Sequence, residues 1–423
     1  MPRLRLHVLA ARPRPASILV LTALVTAGFG TPALAGVRSS AHRSLHAARV
    51  ATPAPTPPGF VGMDANAPMF NSETTLDDAN QLSSMVASGV QSIRVAFNWA
   101  AAQPYESWDQ LPADQRVQFS QAEIRPTDFS QTDEIVGDAA QRGLTVLPTI
   151  LYAPSWDARN NPGGIDTPKR ALPYAQYAAA LVGRYGPKGS FWSANPQIPR
   201  RPIRMWQIWN EPNLSYDWRQ PFAKSYVSLL AAAHKAIKHA DPGAKVVLAA
   251  LTDFAWTSIR QIYKIRGARN LFDIVSINGF SKTPANVMLY MHFMRNALIR
   301  DGDGHKPMLA TEISWPSSRG TGTPQVFDFD TTPAGQARNI AALLPMIGRQ
   351  RVALGLIGFY YYTWIGDESR PYTLAWEFSG LLRDVNGDVS AKPALAAFRK
   401  GALALERCRQ KGSVATRCLQ PDR

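Results

Sequence analysis

Arg204-Met-Trp-Gln-Ile-Trp-Asn-Glu-Pro-Asn213 is a short apolar run that stops at a carboxylate followed by a proline. Residues Arg204–Trp209 read as a strand, and Glu211 lies just past its end. A second run, Pro307–Thr311, ends the same way, with Glu312 inside Ala310-Thr-Glu-Ile-Ser-Trp315. Between them lie two further strand-like runs, Lys245–Leu251 and Phe272–Ile277, each followed by a helical pattern. Those patterns cover about Ser258–Arg266 and, from the favoured first-turn residue Pro284, about as far as Ile299.

The same alternation extends outward in both directions. Upstream lie strands Gly59–Asn66, Ser92–Phe97 and Leu144–Ile150, with helices near Leu76–Ala87, Phe129–Gln141 and Tyr174–Tyr185. Leu76, Ala79, Leu82, Met85 and Val86 repeat at helical spacing, as do Tyr174, Tyr177, Ala178, Leu181 and Tyr185. A long loop from Trp99 to about Pro126 separates the second strand from its helix. Downstream come helices Ala223–Ala240 and Ala334–Gly348, strand Gly355–Tyr362 and a last helix beginning near Pro393. Eight short strands, each followed by a helix, imply parallel strands joined by right-handed crossovers. An open doubly wound sheet would place a glycine-rich phosphate loop after an early strand, and none is present. The expected fold is α/β, a (β/α)8 TIM barrel forming a single catalytic domain. In such a barrel every strand delivers its last residues to one shared face. Glu211 and Glu312 then meet there from the fourth and seventh strands. A pair of carboxylates so placed suits acid-assisted cleavage of a glycosidic bond.

At 423 residues, 45% apolar and 10% aromatic, the chain can bury one large core. Arg3, Arg5, Arg12 and Arg14, then Ala16–Phe29, then Ala33-Leu-Ala35 have the order of a secretory leader, assigned to residues 1–35. An uncleaved membrane anchor is the alternative; the apolar run is short for one. Residues 36–58 form a Pro/Ala-rich linker, 59–405 the barrel, and 406–423 a basic tail. Secretion is the expected localisation, and a monomer the expected state.

Without the four leader arginines the formal charge of +15 becomes +11. Much of the remainder lies at the ends, in Arg38, Arg43 and Arg49 and in residues 399–423. No nucleic-acid motif accompanies it, so no nucleic-acid partner is expected, and the charge reads as a solvated surface able to associate loosely with an anionic cell wall. Cys408 and Cys418 are the only cysteines, close together in the tail. In an exported chain they are expected to pair in one disulfide. The tail has no histidine to complete a metal site. No metal or cofactor is expected.

The tryptophan-rich Trp209-Asn-Glu-Pro-Asn213 and the Thr311-Glu-Ile-Ser-Trp315 context resemble clan A glycoside hydrolases, most closely the family 39 and family 5 group of retaining β-glycosidases. The resemblance runs from about Gly59 to Phe398 and includes Ser379-Gly-Leu-Leu-Arg-Asp384 followed by Lys392-Pro-Ala394. It implies Glu211 as general acid/base and Glu312 as nucleophile. Asn210 matches the asparagine that binds the sugar 2-hydroxyl, and Arg94 an arginine that keeps the nucleophile ionised. A buried structural ion pair is the other reading of Arg94. Pro212 should hold Glu211 in an extended conformation.

Trp315 and Trp364 fall where the clan stacks sugar rings, and Trp156 and Tyr152 could supply a further subsite. Trp206 and Trp209 read as core. One departure is clear. Where the family carries a histidine and a tyrosine after strand six, this chain has Asn278, taken as substrate-binding, and Phe280. Phenylalanine cannot donate the hydrogen bond that tyrosine gives the nucleophile, which leaves Arg94, or Tyr361 or Tyr362, to hold Glu312. The implied activity is hydrolysis of a poly- or oligosaccharide by double displacement. Transglycosylation and a non-catalytic glycan-binding barrel are the alternatives.

Overall fold

The computed structural model describes residues 56–71, 76–371 and 374–421. The leader and nearly all of the linker therefore lie outside the described residues. Eight parallel strands form the central sheet: β1 (Val61–Asp64), β2 (Ser92–Asn98), β3 (Thr145–Leu151), β4 (Met205–Ile208), β5 (Lys245–Val247), β6 (Val275–Asn278), β7 (Met308–Ile313) and β8 (Leu356–Tyr361). Their order is β5-β4-β3-β2-β1-β8-β7-β6. Between the two ends, bridges Val247↔Ile274 and Leu251↔Ile277 close the ring. The amides of Leu248 and Leu251 donate to the carbonyls of Ile274 and Ser276 at 2.9 and 3.2 Å. The result is a (β/α)8 barrel.

Helices follow each strand: α1 (Asp78–Ala87), α2 (Ser130–Gln141), α3 (Ala171–Tyr185), α4 (Phe222–Ala240), α5 (Ala255–Tyr263), α6 (Pro284–Arg300), α7 (Pro333–Leu354) and α8 (Pro393–Glu406). Their starts are written locally. Pro284, Pro333 and Pro393 occupy the first turn, where a missing N–H costs nothing. Thr283 and Thr332 cap α6 and α7 by accepting from the amides of Asn286 and Gly335, both at 3.2 Å. Gly355, at φ 60°, ends α7 and turns the chain straight into β8. On α3, Tyr174, Tyr177, Ala178, Leu181 and Tyr185 are all fully buried, as their spacing predicts.

Period-two alternation sorts the strand residues. Ile93, Val95 and Phe97 of β2 join the layer between strands and helices, whereas Arg94 points into the barrel. Leu147, Val247, Ile274, Leu309 and Tyr360 fill the interior with a separate apolar cluster, so it is a packed core rather than a pore. Gly62 is required there: a Cβ would lie 2.3 Å from the Tyr360 ring. Thr149, Gln207 and Ser276 form a hydrogen-bonded polar layer inside the barrel.

A bulge in β7 sets the direction of Glu312. Ile277 pairs with Ala310, yet the next residue, Asn278, pairs with Glu312. The other neighbour shows the same slip, from Phe359↔Ala310 to Tyr361↔Ile313. Met308 and Ala310 face the helices and Leu309 the interior. Regular alternation would send Glu312 outward with them. One extra residue reverses the parity and aims Glu312 inward.

Between β8 and α8 a small sheet appears that the strand–helix count did not predict: β9 (Ile365–Asp367), β10 (Leu382–Val385) and β11 (Asp388–Ala391). The tail is also structured. β12 (Cys408–Lys411) and β13 (Cys418–Pro421) form an antiparallel pair, and Cys408 and Cys418 are disulfide-bonded. The Ala415 amide donates to the Arg142 carbonyl at 2.8 Å, which docks the tail beside the end of α2. Among the described residues, no helix is long and apolar enough to cross a membrane.

Candidate active site

Arg94 is the hub. Its Nη1 donates to Asp64 Oδ2 at 2.5 Å and to Glu312 Oε1 at 2.7 Å, its Nε to Gln207 Oε1 at 2.8 Å, and its Nη2 to Asn210 Oδ1 at 2.9 Å. The guanidinium is 2% exposed, and burial opposes its charge while Glu312 and Asp64 together raise its pKa above the usual arginine value. It is thus a buried ion-pair centre and, at the same time, the direct partner of Glu312. The two readings of Arg94 describe one arrangement.

Glu211 reaches the same network through Asn278. The Asn278 amide donates to Glu211 Oε1 at 2.7 Å and lies 3.4 Å from Asn210 Oδ1. Thr311 Oγ1 lies 2.8 Å from Asn278 Oδ1 on the other side of the amide. Asn278 also favours the ionised form of Glu312. Glu211 is thus tied through Asn278 and Asn210 to Arg94, which holds Glu312.

Their electrostatic settings differ. Burial pushes the Glu211 carboxyl well above the usual range, and the charges of Glu312 and Asp217 push it further. Burial raises Glu312 too, but the ion pair with Arg94 opposes it directly. Glu211 has no comparable cation and retains its proton to higher pH. Backbone geometry is unusual at the same place. Trp209 has φ 69° and Glu211 φ 38°, so Glu211 is not in the extended conformation that Pro212 was expected to impose. Its amide is held by the Ala250 carbonyl at 2.9 Å, and such left-handed strain persists where surrounding contacts dictate it.

A cavity of about 520 Å3 opens beside these groups, with Arg94, Asn210, Glu312, Tyr152, Asp217 and Tyr362 among its lining residues. Asn278 and Glu211 are not among the lining residues; Asn278 joins Glu211 to Asn210, which is one of them. Asn278 is 2% exposed and Glu211 partly exposed.

The tryptophans depart from expectation. Trp364 is 1% exposed with its Nε1 donating to Gln81 Oε1 at 3.0 Å, and Trp315 is 0% exposed with its Nε1 on the Ser281 carbonyl at 2.7 Å. Neither offers a ring face to a sugar; both pack the core. Trp156 is half-buried edge-on against Trp99, with guanidinium carbons of Arg125 and Arg170 5.4 and 5.6 Å from its ring centre, and does not line the cavity. The cavity's aromatic residues are Phe70, Tyr152 and Tyr362. Of the two tyrosines considered as holders of Glu312, Tyr361 is directed away, bonded to Gln336 and to the Ser379 carbonyl, while Tyr362 lies beside Glu312. Phe280 stacks in an aromatic group with Phe329, Trp376 and Tyr362. It packs edge-on against the Tyr362 ring.

Asp64 was missing from the expected site. It ends β1, is fully buried, and burial with the nearby Glu312 raises its pKa to about 7 against the pull of Arg94. The signal was present: an acid terminating the first strand, delivered to the same face as Glu211 and Glu312. Asp217 was also missed, because it lies in the loop after β4 with no motif around it.

No protein-family model matches the chain, and no curated protein matches it. Solved structures do. A family 39 glycoside hydrolase from the gut symbiont Bacteroides cellulosilyticus WH2 superposes with TM-score 0.60 at 18% identity, over 82% of this chain and 64% of that one. A monomeric beta-xylosidase from Caulobacter crescentus CB15 gives 0.58 at 17%, over 82% and 69%. The family 53 catalytic domain of Ignisphaera aggregans gives 0.54 at 22%, over 82% and 98%. The chain thus spans less than two thirds of the first of these proteins. At such identities the likeness is one of fold: this chain shares its (β/α)8 barrel with these glycoside hydrolases.

Proposed function

We propose that the protein is a secreted retaining β-glycosidase that hydrolyses a poly- or oligosaccharide, with Glu211 as acid/base and Glu312 as nucleophile. The observation that carries this reading is the shared network: Glu211 is joined through Asn278 and Asn210 to Arg94 and pairs with no cation among the described residues, whereas Glu312 is held directly by Arg94. Retaining cleavage needs that inequality.

In the first step ionised Glu312 attacks the anomeric carbon. The glycosidic C–O bond breaks as Glu211 passes its proton to the leaving oxygen, giving a glycosyl ester on Glu312. In the second step Glu211, now a carboxylate, takes a proton from water. The water oxygen displaces Glu312 and the proton inventory is restored. Asn210, oriented by Arg94 Nη2, faces the cavity beside Glu312 and suits a sugar hydroxyl next to the reacting carbon. The clan A likeness of the fold supports the same reading. A screen of aryl β-glycosides and polysaccharides with wild type, Glu211→Ala and Glu312→Ala tests it. Loss of hydrolysis in both variants is expected, and activity unchanged in both would end the assignment.

A further inference from the structure

We propose that Asp217 is a specificity-determining residue of this cleft, its carboxyl group hydrogen-bonding one hydroxyl of a neutral sugar. The inference rests on the glycosidase reading and extends it to what the substrate must carry.

Asp217 lies in the loop that follows β4, six positions after Glu211, and lines the cavity together with Glu312, Asn210 and Tyr152. The residue is 6% exposed. Its backbone carbonyl has a partner, the Trp209 indole Nε1 at 2.9 Å, which fixes the position of the loop. Its carboxyl group has none among the described residues: no hydrogen bond or ion pair reaches it. Neither of its oxygens is among the sealed polar atoms without a partner in the described residues, so the carboxyl keeps an open side on which a ligand can give or accept a hydrogen bond. Here the open side is the cavity.

Electrostatics narrows what can arrive. Burial, then the neighbouring Glu312, raises the Asp217 pKa to about 8 against the pull of Arg94, so near neutral pH the group is a carboxylic acid able both to give and to accept a hydrogen bond. A sugar hydroxyl is its natural complement. Acidic sugars fit poorly: Arg94 is the one cation among the described residues that line the cavity, and Asp64, Glu312, Gln207 and Asn210 already occupy its donors. Tyr152 lies close enough for Asp217 to influence its hydroxyl, and its 38% exposed ring offers an apolar face beside the polar contact.

The test pairs the residue with the hydroxyl. Kinetics are measured for wild type, Asp217→Ala and Asp217→Asn on the neutral aryl β-glycoside that wild type cleaves best and on its set of monodeoxy analogues. The alanine variant should raise KM about 10- to 100-fold on the parent, with kcat less affected. One monodeoxy analogue should cost wild type a similar factor and cost the alanine variant nothing further. The asparagine variant, which keeps both a donor and an acceptor, should recover most of the loss; should the alanine variant not fold, the same deoxy series on the asparagine variant decides. A parent KM within twofold of wild type, or every deoxy penalty retained in full in the variants, overturns the assignment while leaving the glycosidase reading intact. A wild-type protein that cleaves no glycoside and takes no fluoro-sugar label at Glu312 overturns both.

Discussion

Arg94 of β2 and Glu312 of β7 meet inside the barrel with Nη1 2.7 Å from Oε1, 218 residues apart in the chain. The same nitrogen also contacts Asp64. One guanidinium therefore compensates two buried carboxylates, and removing it strands both. Arg94→Met should destabilise the fold by about 3–5 kcal/mol, read from the midpoint of urea unfolding, and abolish turnover. Arg94→Lys keeps the charge but not the planar fork, so it should restore much of the stability and little of the activity.

The pH dependence of catalysis should follow Glu211. The proposed first step needs its protonated form. Burial and the charges of Glu312 and Asp217 raise its pKa, so that form survives to higher pH than an ordinary glutamate allows. The rate should fall as pH rises through that raised value. In Glu211→Gln the basic limb should disappear from the kcat/KM profile measured with an activated aryl leaving group. On poor leaving groups the variant should lose about 10²–10⁴-fold, the usual weight of general acid catalysis.

Stability should carry the opposite signature of Asp64. Its pKa rises from 3.8 unfolded to about 7 folded, so between those values the native state binds more protons than the unfolded chain. The contribution is complete below about pH 4 and is lost as pH rises toward 7. Asp64→Asn should flatten unfolding free energy against pH across that window, measured by urea titration at several pH values. An unchanged slope would mean that Asp64 is not the titrating group.

The tail disulfide closes a loop with a sequence separation of 10. In the chain-entropy model such a loop is worth about 2–3 kcal/mol. Cys408→Ser with Cys418→Ser should lower thermal stability and leave kcat and KM unchanged, since neither cysteine lines the cavity.

The barrel was legible because its strands and helices obey local rules: apolar runs ended by glycine, proline or a capping threonine. Even so, β5 contracts to Lys245–Val247 because Leu248–Leu251 bridge two neighbours instead of extending one ladder. Glu211 and Glu312 were legible because each follows or ends a strand. The bulge that turns Glu312 inward was not, because no glycine or proline marks it; it emerges from pairing with two neighbours at once. Sequence also overvalued aromatic residues at strand exits. Trp315 and Trp364 stand at the expected positions, but their indole N–H groups find protein partners and their rings are enclosed. Position along the chain does not tell which face of a loop a ring will present. Asp64 carried a readable signal at the end of the first strand, whereas Asp217 became visible only once its burial could be compared with its partners.

The most direct measurement is mass spectrometry of the protein after incubation with a 2-fluoro glycosyl fluoride, which slows release of a glycosyl ester more than its formation. A sugar adduct mapped to Glu312, absent in Glu312→Ala, is the predicted result. Tight glycan binding with no adduct at Glu312, or an adduct elsewhere, would contradict the assignment of this barrel to double-displacement chemistry.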